Sequence, residues 1–137
     1  MKNNNFASFM SGLVFITIAA PYFCSPATTL LLNAYFVSAV FLLLESSWML
    51  TYLYDNYGRT PRKIQFYLGL CLMVSSAFMF CHFEETARSM AHWEASFRQD
   101  YPHLSSFLIQ FILYAKNIVS FGFAAFGASV AANAIRQ

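Results

Sequence analysis

The chain has 137 residues, of which 58% are hydrophobic and 10% charged, and its net charge is +2. Soluble domains carry about 25% charged residues, and one of this size hides only about two thirds of the surface its unfolded chain exposes. That much apolar surface argues against a water-soluble globule, and the small net charge without any Lys/Arg run argues against a nucleic-acid binder.

The first apolar run spans Phe6 to Phe23. With Lys2 before it and Ser25-Pro26-Ala27 after it, it has the outline of a cleavable secretory signal. Its length exceeds the roughly 7–15 residues usual for such a signal, so it is expected to stay as a membrane span. Pro21 should bend or end this helix. Cys24 to Ala27 is a very short link, which predicts a tight hairpin with the second run, Thr28 to Tyr54. Asp55 to Lys63, with Gly58 and Pro61, is a polar turn, and the third run follows from Ile64 to Phe83.

Glu84 to His103 is the one long polar stretch. Glu84 to Arg98 lacks Gly and Pro, which predicts a short amphipathic helix on the outer face or a continuation of the third helix. Pro102 suits the first turn of the fourth helix, Leu104 to Ile135. A span needs about 20 residues, and lipid leaves backbone groups no partners outside a helix. The expected fold is all-α: residues 1–137 form one polytopic domain with four transmembrane helices, near 6–23, 28–54, 64–83 and 104–135, arranged as two hairpins.

Basic residues orient it. Lys2, Arg59, Arg62, Lys63 and Arg136 fall on one side of a four-span chain, and Arg88 and Arg98 on the other. The positive-inside rule puts both termini in the cytoplasm. A bacterial inner membrane suits so compact a chain. Trp48, Tyr52, Tyr54, Tyr57 and Tyr67 near the inner face, and Tyr22, Trp93 and Tyr101 near the outer face, are placed as interface anchors.

Two charges interrupt the apolar runs, Glu45 in the second and Lys116 in the fourth. A buried charge in a span costs at least ~2.5–3.5 kcal/mol and should have a partner. An ion pair between them, within or between subunits, would fix helix register or line a polar path. Ser38 lies one heptad before Glu45 and Gln110 one heptad before Asn117, so each helix carries a modest polar stripe. Ser120, Ala124, Ala128 and Ala132 recur every four residues, and Ser8 and Gly12 form a shorter set. Small residues let helices approach closely in lipid, which predicts packing within the bundle or between subunits.

Gly12-Leu13…Phe23-Cys24 and Gly69-Leu70…Phe80-Cys81 share a spacing, as an internal repeat of two hairpins would. If that holds, Cys24 and Cys81 lie at similar depth near the outer face, where a disulfide is conceivable but unpaired thiols are favoured. Cys71 reads as packing. His82, His92 and His103 gather near the outer loop with Glu84, Glu85 and Glu94, but their spacing matches no metal signature. No catalytic or phosphate-binding motif is present, and no cofactor is expected. The expectation is a non-enzymatic membrane protein acting by association, as a homo-oligomer or beside a membrane partner subunit. It would be an accessory or assembly subunit, or a membrane component of a bacterial defence, immunity or exclusion system. The alternative is a small oligomeric transporter or ion channel using Glu45 and Lys116.

Overall fold

A computed structural model describes residues 3–24 and 33–136, with the backbone alone described at 3, 90–98 and 105. The described residues are all helical apart from short connections: α1 (Asn3–Ala19) closed by a 3-10 turn (Ala20–Phe23), α2 (Ala34–Asn56), α3 (Arg62–Asp100) and α4 (Pro102–Arg136). All four helices are long and apolar enough to cross a membrane, over Asn4–Phe23, Ala34–Asn56, Arg62–Ser89 and Pro102–Arg136. The protein is a membrane protein with four candidate spans.

Local chemistry sets the helix ends. Pro21 turns the end of α1 into the 3-10 turn, which Cys24 closes by donating its N–H to the Pro21 carbonyl at 3.3 Å. Asn33 is extended, and its side-chain oxygen accepts from the N–H groups of Tyr35 (3.0 Å) and Phe36 (3.2 Å). This is an N-cap, so α2 starts at Ala34 rather than at Thr28. Thr28 itself, with the expected tight link, lies outside the described residues. After α2, Gln65 folds back and donates its amide to the carbonyls of Tyr57 and Thr60, both at 2.9 Å, which stitches the turn closed. Tyr101 alone joins α3 to α4, and Pro102 is the first residue of α4 as expected.

The stretch after Phe83 is not a separate helix. α3 continues through Asp100, and its 39 residues extend about 58 Å at 1.5 Å per residue. No glycine or proline occurs between Phe83 and Asp100, and each charged side chain there can stay in water without breaking the backbone ladder. Arg88 pairs with Glu84 (3.5 Å) and Glu85 (3.0 Å) on this exposed part.

α3 is the hub. It packs against α1, α2 and, most extensively, α4, so the helices do not separate into two independent pairs. α2 turns Ser38, Ala39, Leu42, Glu45, Ser46, Met49 and Leu53 inward at heptad-like spacing. α4 buries only a thin line, Ile112, Ser120, Gly127 and Ala131. Near the start of α1 Phe6 stacks on Tyr52 (centroids 3.8 Å) and meets Trp48 edge-on (5.9 Å), closing α1 onto α2.

Gly69 and Gly127 face each other where α3 and α4 come closest. A Cβ on Gly69 would lie 2.7 Å from the Gly127 carbonyl oxygen. Gly12, its counterpart in the expected repeat, has nothing within 4 Å of such a Cβ. Cys24 follows a 3-10 turn whereas Cys81 sits inside a helix, so the two halves differ in local structure as well.

Candidate functional site

Polar side chains of three helices converge in the middle of the α1–α2–α3 bundle. Thr17 on α1 donates its hydroxyl to Glu45 Oε1 on α2 at 2.6 Å, while the Leu13 carbonyl lies 2.9 Å from the Thr17 hydroxyl oxygen. One hydroxyl hydrogen is shared between two acceptors. Ser38, two turns before Glu45, donates to the Thr17 carbonyl at 2.7 Å and lies 2.8 Å from His82 Nδ1 on α3. Because the Ser38 hydrogen is engaged by Thr17, Nδ1 of His82 must be the donor to Ser38. Ser46 and Ser75 meet at 2.8 Å just below.

This cluster is closed to solvent: Glu45 is 4% exposed, and His82 is fully buried beneath the rings of Tyr22, Tyr35 and Phe78. Two of its polar atoms have no hydrogen-bond partner among the described residues, Oε2 of Glu45 and Nε2 of His82. Ser46 lies beside Glu45, and Ser75 is about 16 Å along α3 from Ile64 and about 12 Å from Phe83. Glu45 therefore sits near the middle of a hydrocarbon core about 30 Å thick.

The expected partner of Glu45 is elsewhere. Lys116 Nζ lies over the Phe80 ring, 4.4 Å from its centroid, on the α4 side of α3. α2 and α4 have no substantial contact, because α3 stands between them. Within one chain, Glu45 and Lys116 do not pair. Arg88 forms ion pairs with Glu84 and Glu85, and neither involves Glu45 or Lys116. Lys116 is also shallower than counting from Leu104 suggests. Level with Phe80, it is about one turn from Phe83, so its stem can carry the ammonium toward the polar end of α3. Replacing Lys116 with Leu should change stability by less than about 1 kcal/mol, the scale of an exposed cation–π contact. Unfolding of the two proteins in the same detergent measures the difference, and a loss above about 2 kcal/mol would mean that Lys116 has a buried role.

The small residues divide unevenly. Ser120 is buried and Ala124 half-buried against α3, but Ala128 and Ala132 face outward, as do Ser8 and Gly12. The inward line instead runs through Gly127 and Ala131, because every fourth residue drifts about 40° around a helix of 3.6 residues per turn. Gln110 and Asn117, the polar stripe of α4, are exposed. Cys24 and Cys81 are exposed free thiols, and Cys71 is a half-buried one 3.5 Å from Ser11. No three His, Cys, Asp or Glu side chains converge among the described residues; the side chains of His92 and Glu94 are outside them.

Sequence reading placed His82 with the outer loop and missed it as a core residue. A signal was present: Ser75 and His82 lie one heptad apart on α3, as Ser38 and Glu45 do on α2. No family model, characterised protein or solved structure matches this chain.

Proposed function

We propose that the protein acts by association in the membrane, without catalysis, and that α4 is its association face. Asn117 carries the reading. It lies on the outward side of α4, beside the lysine that is level with Phe80, within the run of residues apolar enough to span. A primary amide facing hydrocarbon has no hydrogen-bond partner there, and a neighbouring helix supplies one. Below it Ala125, Ala128 and Ala132 continue the same outward line with small side chains that the chain's own packing leaves unused. A second copy would bring Asn117 to Asn117 across a two-fold axis, the self-complementary arrangement of a symmetric dimer.

The biological setting we favour is an accessory or assembly subunit, or a membrane component of a bacterial defence, immunity or exclusion system, in the inner membrane with both termini cytoplasmic. Absent catalytic motifs, small soluble portions and the Lys/Arg distribution support it. The alternative is a small oligomeric transporter or ion channel using Glu45 and Lys116, which would meet between copies, since within one chain they lie on opposite sides of α3.

Fluorescently tagged full-length protein in lipid nanodiscs or mild detergent should photobleach in two steps. Asn117→Leu combined with Ala128→Ile should shift it to one step without loss of helicity. A wild-type protein that stays monomeric at every protein-to-lipid ratio would remove this reading. Tags before Met1 and after Gln137 reporting an external compartment would remove the orientation.

A further inference from the structure

Between α1 and α2 runs a cleft of about 700 Å³, within the range of small-molecule sites. Its rim is apolar and turned outward, with Ile16, Phe41 and Trp48 all exposed, so in a membrane it opens sideways to the lipid. Its only polar side-chain groups among the lining residues, apart from the rim's indole and Cys24, are those of Thr17, Ser38 and Glu45. The cleft thus leads from the bilayer to the one acidic group of the inner bundle, whose Oε2 has no partner among the described residues.

We propose that this cleft binds a lipophilic organic cation, its charge opposite Glu45 and its apolar body against Phe41 and Trp48. The two helices of the cleft offer Glu45 no basic partner, since no Lys or Arg occurs between Lys2 and Arg59. On α3 the nearest ionisable side chain of the cluster is His82, which reaches it only through Ser38 and Thr17, and Lys116 is held on the far side at Phe80. A lipid tail would fill the cleft without answering the carboxyl group at its floor. A cation answers the charge and the shape together, and the face of Trp48 adds a second attraction for it. This inference is independent of the α4 association face, which lies across α3.

Tetraphenylphosphonium and tetraphenylborate, ions of the same shape and opposite charge, separate electrostatic recognition from simple apolar uptake. Calorimetric titration of the detergent-solubilised full chain, corrected for detergent alone, should show saturable binding of one tetraphenylphosphonium per chain and none of tetraphenylborate. Glu45→Asp should retain binding, and Glu45→Gln should weaken it about ten-fold or more. Ile16→Trp narrows the cleft while leaving the carboxylate in place, so it should abolish binding even if Glu45→Gln proves unstable. Equal uptake of both ions, absence of saturable binding, or full affinity in Ile16→Trp would each overturn the proposal.

Discussion

Leucine at Gly127 is expected to force α4 off α3 and remove most of the folded bundle. Even the first carbon of a side chain there would lie 2.7 Å from the Gly69 carbonyl oxygen and 3.0 Å from atoms of Leu72 and Met73. The opposing atom is backbone, which cannot swing aside as a side-chain end can. From the other helix, a Cβ on Gly69 meets the Gly127 carbonyl oxygen at 2.7 Å and the Ala131 nitrogen at 2.9 Å. Overpacking of this kind costs about 1–3 kcal/mol for an added methyl or two, and more when two helices must part. The α3–α4 contact is the largest in the molecule, and α4 touches little else, so nothing compensates for its loss. Gly69→Ala should already destabilise, because the clash outweighs the gain of up to about 1 kcal/mol in helix propensity. Gly12→Ala and Gly122→Ala form the control, since nothing lies within 4 Å of either added carbon. Denaturant unfolding in one detergent, followed by circular dichroism, should rank Gly127→Leu far below wild type and both controls at or above it. A Gly127→Leu protein as stable as wild type would show that the helices do not cross at these glycines.

The second expected result concerns an asymmetry. Thr17→Val should destabilise the bundle by about 1–3 kcal/mol, whereas the double variant Thr17→Val, Glu45→Leu should be near wild type or above it. The threonine hydroxyl, at 2.6 Å, gives Glu45 the only hydrogen bond observed at its carboxyl group, since Oε2 has none. Removing the donor alone leaves a buried acid with neither oxygen satisfied, and the desolvation of that group is then uncompensated. Removing both groups substitutes packed aliphatic carbon for a costly polar pair, which buried ion and polar pairs often tolerate. A double-mutant cycle measured by unfolding isolates the coupling. Additive single effects would mean that the hydroxyl and the carboxyl do not interact. A stabilised double variant that no longer binds tetraphenylphosphonium would indicate that Glu45 is kept for binding rather than for folding.

Hydropathy alone carried the helix count, because a run of about 20 apolar residues has few alternatives to a membrane helix and the backbone must satisfy itself there. The ends were legible where a single residue decides them, as Pro21 and Pro102 do. Asn33 could have been recognised as a cap, but an apolar run on both sides of it hid the boundary. The length of α3 is not decided by its residues alone, since a polar stretch without glycine or proline suits either a separate surface helix or a continuation of the third helix.

Partnership was a different matter. Glu45 and Lys116 were paired on sequence because each is a lone charge in a span, yet charge complementarity at a distance says nothing about which helix lies between. The order of helices around α3 places Glu45 with Thr17 and Lys116 with Phe80. Likewise the row of small residues on α4 was visible, but its true inward line passes through Gly127 and Ala131, because which side of a helix is covered depends on its neighbours. Sequence by itself determined how many helices this protein has, roughly where they run and that lipid is their solvent, all of which follow from the local transfer of side chains and backbone out of water. Only the tertiary structure decided which faces meet, which polar groups share hydrogens and which acid lies buried beside the cleft, because those depend on contacts between residues far apart in the chain.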